Sequence, residues 1–576
     1  MVFVNLSLSI LLFFSTLFYR FVYPKKKINL FILLLLISFL PLVSILRAGT
    51  YESGDLSINA IKTMSFYKNL SEGEIIPRWA GDLNATYGYP LFIFTYPLPY
   101  YITSFFHTLG FGFIDSVKLL LIFSFILSGV FMYIFLKSES SEFSAFVGSV
   151  FYLFAPYHLI DMHFRVAIGE MLSIMLIPLV LFLEDRLIKK KSILLFIFSS
   201  ISVALFLLSH QAISLIFIPF LVTYFFFYNY LNRKPLSNLI YAFLSLATGF
   251  LLSAFYIIPV LYYSSLTHQV KLAEIVFPDS LLFFLSPWRW GLLFQGPMGE
   301  LSFPIGFPQL AVFILAVIFL LKNKFKKMRE KRFLLFYILS LLLFFFLMSS
   351  FSNIVWETVP LMKNFQFSYR LSVITSFLIS AVAAIVTLKL DRKLSIFITV
   401  LAILLTILNW GNRRNIPSIN DTYLARELAE SSAKGEGLYP AMPEWTDPKS
   451  PFMKSVPKYH VEVLKGNGEI SEISRKTTEH EYLIKTEGKT QIQENTLYFP
   501  GWKVFANNKE TEIVNRNPIA FWLDEGDSKV RVVYEETKIM KISMLISGVT
   551  FTLMLFLLFL SKDLNILRKL YPNSAS

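Results

Sequence analysis

The chain has 576 residues, of which 55% are hydrophobic and 17% aromatic, and its mean hydropathy is +0.58. Apolar runs of membrane-spanning length recur from end to end, so the composition predicts a polytopic α-helical membrane protein and excludes an ordinary soluble domain. The net charge of +14 comes from Lys and Arg in short loops, which argues against a nucleic-acid partner, and the absence of cysteine excludes disulfides and thiol chemistry.

About thirteen spans are predicted when every basic loop is assigned to the cytoplasm. The predicted spans are 2–22, 28–46, 117–136, 143–159, 168–187, 192–209, 212–231, 237–258, 309–322, 332–349, 371–388, 394–410 and 540–560. This assignment predicts a multi-pass protein of the plasma membrane with its N-terminus outside and its C-terminus cytoplasmic. The long loops then lie outside, at 47–116, 259–308, 350–370 and 411–539. The first apolar run is expected to remain as a span, because it lacks the basic leader and cleavage site of a signal peptide.

The first predicted outer loop holds the densest chemistry of the chain. Asp55 is predicted to act there as a general base at the membrane surface or as a carboxylate that orients a metal ion, and the alternatives are a helix N-cap or a solvated acid. The aromatic run 88–101 contains three prolines, so we expect it to lie along the outer surface instead of crossing the membrane. The expected substrate-binding residues of this loop are Arg78, Trp79, Tyr89, Tyr96 and Tyr100.

A second ionisable group lies in the run APYHLIDMHFRVAIGE, at the predicted outer end of two spans. Ionisable side chains at such a depth are costly and mark function more often than in soluble proteins. Arg165 is predicted to bind a phosphate and Glu170 to take part in catalysis, with an ion pair between the two as the alternative. Asp161 is assigned to substrate binding. The two histidines of the run and Asp161 match no standard zinc spacing, so no metal site is predicted.

Three more residues fall on the same predicted outer face. His210, in LLSHQAIS, is predicted to bind substrate, and the alternative is a hydrogen-bonded interfacial histidine. Arg289, in SPWRWG, is predicted to bind the donor phosphate. Arg370, in KNFQFSYRL, is given the same role, and the alternative is an arginine that merely extends its charged end to the membrane surface.

The segment 411–539 differs in kind from the rest, because it is polar and rich in Glu, Lys, Asn and Thr. Alternation of period two in KYHVEVLKG and KVRVVYEE, separated by turn signals, predicts a β-rich domain, a small sandwich preceded by an irregular linker. The predicted domains are therefore a membrane domain at 1–410, an outer β-rich domain at 411–539, and a last span with a cytoplasmic tail at 540–576.

Several kinds of chemistry have no motif in this sequence. It contains no P-loop, dinucleotide fingerprint, HExxH helix or GxSxG elbow. The largest predicted cytoplasmic loop has only about eleven residues, far too few for a nucleotide-binding domain. The functional surface is therefore expected outside or within the membrane.

These motifs resemble those of a bacterial and archaeal membrane family labelled 6-pyruvoyl-tetrahydropterin synthase-related, which belongs with the GT-C-type glycosyltransferases. The resemblance covers roughly residues 47–390. It runs through SGDLSINAIKTM, GYPLFIFTYPLPYY, APYHLIDMHFRVAIGE, SHQ and FQFSYRL, and YFPGWKVFANNKE is similar to a C-terminal β-domain signature of related proteins. This chain has SHQ where SHN is expected, SYR where PWR is expected, and Gly54 before the aspartate where histidine is common. The pterin label itself describes no chemistry found here.

The resemblance implies a multi-span fold whose active site lies in the first large outer loop. It implies an essential carboxylate there, which maps onto Asp55, and Arg165 and Glu170 match the family pattern R-x-x-x-x-E. It also implies a polyprenyl-phosphate sugar as donor, with a glycan, lipid or protein outside the membrane as acceptor. Such a transfer needs a base for the acceptor hydroxyl, and either cationic side chains or a divalent ion such as Mg²⁺ or Mn²⁺ for the departing phosphate.

Two other functions are compatible with the same composition. A transporter or flippase of lipid-linked sugars predicts charges at midspan and helices broken near the bilayer centre, whereas the spans read as continuous with ionisable residues at their outer ends. A non-catalytic scaffold or glycan-binding protein would leave Asp55 dispensable.

Overall fold

The computed structural model describes residues 1–560 apart from 269–274, 285, 287, 297, 360–361, 363–364, 412, 434–440, 448 and 450–452. Twenty α-helices lie within this part of the chain. They are α1 Val2–Val22, α2 Leu30–Phe39, α3 Leu56–Ser71, α4 Leu91–Phe94, α5 Leu98–Thr108, α6 Phe113–Lys137, α7 Glu142–Leu153, α8 Pro156–Ile160, α9 Ile168–Lys189, α10 Ile193–Ser209, α11 Gln211–Leu231, α12 Ser237–Leu252, α13 Ala254–Tyr263, α14 Phe307–Leu321, α15 Met328–Met348, α16 Asn353–Thr358, α17 Ser372–Thr387, α18 Arg392–Leu404, α19 Asp421–Ala433 and α20 Lys538–Leu560.

Seven helices of the described chain are long and apolar enough to cross a bilayer alone, and nine spans result if two bent pairs each count as one. The predicted count of thirteen is not confirmed. Several of the other predicted spans are too short or too charged for this description. Three of them are apolar helices of at most 17 residues, and the predicted span 168–187 lies in α9, which contains five charged residues. The seven are Val2–Val22, Phe113–Lys137, Gln211–Leu231, Met328–Met348, Ser368–Thr387, Arg392–Asn409 and Lys538–Leu560.

Two spans that the sequence predicts as continuous are broken in the structure. The α7 and α8 segments are bent by 45°, and the α12 and α13 segments by 70°. Pro156 begins α8, and a proline there has no N–H to continue the hydrogen-bond ladder of α7. The first break leads into the segment that contacts the Asp55 loop, whereas the second lies against Ser547, the tenth residue of the 23-residue helix α20.

The helix ends that are predicted to be cytoplasmic meet at the opposite end of the bundle. Glu139 pairs with Lys189 at 2.5 Å and with Arg329, and Glu330 pairs with Lys389 at 3.2 Å. The orientation of this end in a membrane stays a prediction. The predicted tail residues Lys562, Arg568 and Lys569 lie outside the described residues.

The run 88–101, predicted to lie along the outer surface, forms no spanning helix. It contains the one-turn helix α4 and the start of α5, whose 11 residues extend only about 16 Å. A hydrocarbon core is roughly 30 Å thick, so α5 is too short to cross it.

The linker before the β-rich region is more ordered than its sequence predicts. Helix α19 begins at Asp421, whose carboxylate accepts hydrogen bonds from the backbone N–H groups of Phe113 and Ile114 at 2.6 and 3.0 Å. These groups are unpaired donors at the start of α6. Asp421 therefore caps a helix more than 300 residues away in sequence, which no local pattern reveals.

The C-terminal region contains two antiparallel sheets, which confirms a β-rich region there. A four-stranded sheet has the order β3-β6-β10-β9, and a five-stranded sheet has the order β4-β5-β11-β7-β8. Inward-facing apolar residues such as Ile492, Phe521 and Val532 are fully buried. The strands are β1 Thr50–Tyr51 and β2 Asn415–Ile416, which pair outside these sheets, then β3 Val461–Lys465, β4 Gly468–Arg475, β5 Glu479–Thr486, β6 Thr490–Glu494, β7 Trp502–Ala506, β8 Lys509–Thr511, β9 Ile513–Arg516, β10 Ile519–Leu523 and β11 Gly526–Tyr534.

The first outer loop fastens the β-rich region to the membrane domain. Arg78 is buried, donates to the Phe255 carbonyl at 3.0 Å and pairs with Glu536 at 3.1 Å. Trp79 is also buried, and its ring lies 5.3 Å from that of Trp502. The structure therefore corrects the expectation that Arg78 and Trp79 bind substrate beside Asp55, because packing against the β-rich region occupies both side chains.

We expect Arg78→Met to lower the thermal midpoint of unfolding, because it leaves the Phe255 carbonyl and the Glu536 carboxylate without their donor. The loss is about 1–3 kcal/mol for hydrogen bonds of this kind. Arg531→Met is the matched control, since Arg531 pairs with Glu479 at the exposed surface of the sheet and should cost about 0–1 kcal/mol. Thermal unfolding of the detergent-solubilised chain measures both, and equal midpoints for the two variants would contradict the fastening role of Arg78.

Candidate active site

The first outer loop is joined to the chain segment that follows α8 by a row of hydrogen bonds. Backbone and side-chain groups around the start of α3 donate hydrogen bonds to four carbonyl oxygens of residues 162–166. The position of Asp55 next to Arg165 is therefore set by main-chain bonding. The four bonds are Tyr51 Oη to Met162 O at 3.0 Å, Gly54 N to Phe164 O at 2.7 Å, Asp55 N to Arg165 O at 3.0 Å and Asn59 Nδ2 to Val166 O at 2.9 Å.

The segment that receives these bonds has an unusual backbone. Residues Asp161–Arg165 form a π-helical turn, and Val166 follows with φ 57° and ψ 48°. A β-branched residue in this left-handed region costs of order 1–3 kcal/mol and persists only where its surroundings fix it. Gly54 permits the close approach, since a Cβ there would lie 3.2 Å from the Arg165 carbonyl oxygen. Such local strain is found most often at functional sites.

Glu170 stands at the centre of a buried cluster of charges in the first turn of α9. Its two oxygens receive the Arg165 guanidinium at 2.8 and 3.1 Å, and the Tyr157 hydroxyl donates to it at 2.7 Å. Arg165 also donates to Asp161 at 2.5 Å. Glu170 and Asp161 are almost fully buried. The ion pair between Arg165 and Glu170, which the sequence leaves as an alternative, is present.

Arg370 is the second cation that touches Glu170, with its Nε 3.3 Å from a Glu170 oxygen. It also donates to the Phe365 carbonyl at 2.8 Å. Because both oxygens of Glu170 are occupied by arginines, this placement favours a positioning role for Glu170 over direct acid–base work. The catalytic assignment of Glu170 stays an untested prediction.

An aromatic wall covers one side of the cluster. Tyr369 stacks on Phe303 with ring centroids 4.0 Å apart, and the Arg165 guanidinium lies 5.2 Å above the Tyr369 ring. Arg370 lies 5.2 Å from the ring of Phe367. Aromatic faces attract cations and also offer apolar surface to a lipid tail or a sugar.

The Asp55 carboxylate is the one acid of the site that the described residues leave unengaged. Asp55 occupies the N-cap position of α3, but its side chain makes no capping hydrogen bond, so the N-cap alternative is ruled out. Part of the side chain is exposed to solvent, and protein atoms crowd the remainder. Loss of surrounding water raises the pKa of Asp55, whereas the charges of Lys62, Arg165 and Arg370 lower it. The charges of these three cations therefore act on one carboxylate, and the charge of Glu170 opposes them.

Lys62 is the site residue that the sequence analysis does not assign. It lies on α3, two helical turns after Asp55, and seven residues bring two side chains to the same helix face. Burial lowers the pKa of Lys62 and the Asp55 charge raises it. The spacing between the two residues is the signal that would have identified Lys62, once α3 is recognised as a helix.

The predicted aromatic residues line the site to different degrees. Tyr96 is half-buried, its ring lies 4.8 Å from that of His210, and the charges of Asp55 and Glu170 act on it. His210 is itself buried and accepts a hydrogen bond from a backbone N–H of α11 at 3.4 Å. Tyr89 and Tyr100 are almost fully buried, and Tyr100 packs against Phe66 and Phe92, so neither presents a face to an opening.

Arg289 is not part of the cluster. Its side chain is exposed in a 3-10 turn, and among the described contacts no hydrogen bond or ion pair joins it to Glu170 or to Asp55. Its neighbour Trp290 is 96% exposed. The sequence predicts from residue type alone that Arg289 binds the donor phosphate. In the structure Arg289 lies outside the cluster of Arg165, Glu170 and Arg370.

The site does not have the ligands of a divalent ion. Within the described residues, no group of three His, Asp or Glu side chains gathers closely enough to hold a metal. The oxygens of Glu170 are taken by arginines, and Asp55 is surrounded by cations that repel another cation. Mg²⁺ prefers several free oxygens, so the donor set does not fit it, and a divalent cofactor stays a prediction from the resemblance alone.

Comparison with known proteins identifies related sequences. A family model described as "6-pyruvoyl-tetrahydropterin synthase related domain; membrane protein" matches residues 93–416. An uncharacterized protein of Lactococcus lactis subsp. cremoris (strain MG1363) is 24% identical over 335 residues, which cover 55% of this chain and 53% of the relative. The chain therefore spans about half the length of that relative.

Solved structures give weaker similarities. The cryo-EM structure of the arabinofuranosyltransferase AftD from Mycobacteria is 14% identical, with a TM-score of 0.37, and the match covers 69% of this chain and 27% of AftD. The crystal structure of ArnT from Cupriavidus metallidurans bound to undecaprenyl phosphate is 12% identical, with a TM-score of 0.29, and the match covers 70% of this chain and 90% of ArnT.

We expect Glu170→Gln and Asp55→Asn to affect stability very differently. Glu170→Gln removes the charge that holds two buried arginines, and breaking a buried ion pair on one side costs about 3–5 kcal/mol. Asp55→Asn removes no hydrogen bond found in the described structure, so its effect should stay within about 0.5 kcal/mol. Thermal unfolding midpoints of the two isosteric variants test this, and a wild-type midpoint for Glu170→Gln would contradict the cluster.

Proposed function

We propose that this chain, which belongs to the 6-pyruvoyl-tetrahydropterin synthase related family of membrane proteins, transfers a sugar from a polyprenyl-phosphate donor to an acceptor outside the membrane. The supporting observations are that the Asp55 carboxylate makes no hydrogen bond at the start of α3 and that the charges of Lys62, Arg165 and Arg370 act on it. A free base beside several cations suits a reaction that takes a proton from a hydroxyl and releases a phosphate.

In the proposed step, an acceptor hydroxyl gives its proton to the Asp55 carboxylate while its oxygen attacks the anomeric carbon of the donor sugar. The bond between that carbon and the phosphate oxygen breaks, and the polyprenyl phosphate leaves with the electron pair. A phosphate is a good leaving group, so no strong general acid is needed. The products are the new glycosidic bond, the free polyprenyl phosphate and a protonated Asp55.

The cations of the site divide into two groups by how firmly they are held. Arg165 is bound by both Asp161 and Glu170, which fixes its guanidinium and offsets its charge. Arg370 shares only one oxygen of Glu170, at 3.3 Å, and Lys62 has no ion pair among the described residues. We therefore assign the donor phosphate mainly to Lys62 and Arg370, with Arg165 as the fixed member that holds the predicted site together.

The surroundings suit a lipid-linked substrate. The site lies at the end of the bundle opposite the gathered basic loops, which is the outer end in the predicted topology. Nucleotide sugars are made in the cytoplasm, so an outer site must receive its activated sugar on a lipid. Tyr96, Tyr369 and Phe303 supply aromatic surface for the lipid tail or the sugar.

Transfer accounts for the placement of charge better than passage through the membrane does. Transporters of known architecture bind substrate near the bilayer midplane between broken helices. Here the cluster of ion pairs forms between the first turn of α9 and the segment just before α17, at the end of the bundle where Asp55 lies. The ionisable groups of the site therefore gather at one end of the bundle.

We expect Asp55→Asn to reduce sugar transfer by about 10²- to 10⁴-fold, the range that a positioned general base contributes. The assay uses proteoliposomes with radiolabelled undecaprenyl-phosphate glucose, galactose or mannose and a cell-surface glycan extract, and measures labelled glycan. Full activity in Asp55→Asn would remove Asp55 as the base. A wild-type chain that consumes none of these donors would contradict the proposed transfer.

We expect Lys62→Met to weaken equilibrium binding of undecaprenyl phosphate by about tenfold or more, because a charge-assisted contact to the phosphate is lost. Removing Lys62 also removes a charge that lowers the pKa of Asp55, so the acid limb of the activity profile should move to higher pH. Lys529→Met is the control, since Lys529 is an exposed residue of the β-rich region. Unchanged binding and an unshifted profile in Lys62→Met would refute this role.

A further inference from the structure

One turn of the predicted outer loop 259–308 projects a tryptophan away from the rest of the chain. We call residues 288–291 the WRWG turn, after their sequence. The side chain of Trp290 is 96% exposed, and Arg289 beside it is exposed and has no ion pair among the described residues. A single exposed aromatic residue needs no explanation by itself, so the backbone and the position of the turn decide its meaning.

The backbone of the WRWG turn is strained and held in place. Three consecutive residues, Arg289, Trp290 and Gly291, have φ angles of 40°, 62° and 76°, all in the left-handed region. That region is unfavourable for a residue with a side chain, and the conformation persists only where the surroundings fix it. The loop is fixed at Asn409, which accepts a hydrogen bond from the Phe294 N–H at 3.0 Å. The fold therefore directs Trp290 outward at a cost in free energy.

The WRWG turn packs on the first residue of α14. A Cβ atom on Gly291 would lie 3.1 Å from the ring of Phe307. The exposed large apolar residues of α14 follow one another at intervals of seven, four and three residues, so they share one face of the helix. They are Phe307, Ile314, Ile318 and Leu321. In a membrane protein such a face contacts lipid tails, and the WRWG turn lies at its outer end in the predicted topology.

We propose that the WRWG turn contacts the outer surface of the lipid bilayer, with Trp290 at the depth of the lipid headgroups. The indole ring is both apolar and polar, and tryptophan is enriched at that depth. The charge of Arg289 keeps the turn at the interface, because a charge within the hydrocarbon is costly. A protein partner fits less well: one tryptophan buries about 150–250 Å², whereas a stable protein interface buries roughly 800 Å² on each side.

The loop that carries the WRWG turn also packs against the candidate active site. The ring of Phe294 lies 6.1 Å from that of Phe164, the residue before Arg165. Farther along the loop, Phe303 stacks on Tyr369 in the aromatic wall. Contact of the turn with the bilayer would therefore fix the height of this wall relative to the lipid headgroups. The contact itself does not depend on the proposed transfer.

The chain has no cysteine, so Trp290→Cys provides a single attachment point for a nitroxide spin label. In nanodiscs of phosphatidylcholine and phosphatidylglycerol, EPR measures how often the label collides with oxygen, which concentrates in lipid, and with a water-soluble nickel chelate. Ile314→Cys on the exposed face of α14 and Leu483→Cys on the exposed surface of β5 are the matched comparisons. We expect the ratio of oxygen to nickel collisions at Trp290→Cys to be about threefold or more above that at Leu483→Cys and below that at Ile314→Cys.

A collision ratio equal to that of Leu483→Cys would place the WRWG turn in water and overturn the proposal. Rare collisions with both reagents would place it against protein, such as a second copy of the chain, and would overturn it equally. A second measurement keeps the native side chain, because brominated lipids quench the fluorescence of tryptophans near them. Trp290→Phe should lower the quenched fraction of the fluorescence, whereas the control Trp522→Phe, in β10, should not. An unchanged fraction in Trp290→Phe would contradict the contact.

Discussion

The carboxylate of Glu170 is the interaction on which the rest of the site depends. It is buried in the first turn of α9 and receives Arg165 from the preceding segment and Arg370 from the start of α17. Two guanidinium groups so close together would repel each other and lose their hydration without this shared anion. Glu170 therefore lets two cations about 200 residues apart in sequence, Arg165 and Arg370, present positive charge at one place. Its value lies in the arrangement it permits, since a buried ion pair adds little stability by itself.

Asp55 joins this arrangement through the backbone. The hydrogen bonds from Gly54 and Asp55 to the Phe164 and Arg165 carbonyls bring the carboxylate beside the cations without using its oxygens. The side chain therefore remains available for a proton. The β-rich region is fastened to the first predicted outer loop by the ion pair of Arg78 with Glu536 and by the packing of Trp79 on Trp502.

The sequence allowed much of this architecture to be predicted, because span length, loop charge and strand alternation are local signals. They indicated the helical membrane domain, the β-rich region and the outer face that holds Asp55, Arg165 and Arg370. Lys62 was not assigned, since its relation to Asp55 appears only when α3 is known to be helical there. Arg78 and Arg289 were expected at the site, but Arg78 packs against the β-rich region and Arg289 lies in an exposed turn. Residue type alone does not show in which direction a loop carries its side chains. The break between α7 and α8 has a local cause in Pro156, whereas the capping of α6 by Asp421 depends on a tertiary contact that no pattern within α6 encodes.

The central claim is that a lipid phosphate binds between Lys62 and Arg370 with Asp55 facing it. A cryo-EM structure of the full chain in nanodiscs that contain undecaprenyl phosphate measures this most directly. The account predicts phosphate density in contact with the Lys62 ammonium and the Arg370 guanidinium, with the Asp55 carboxylate still free of protein partners. Phosphate density at the exposed Arg289 turn, or an Asp55 side chain turned away from all three cations, would contradict it.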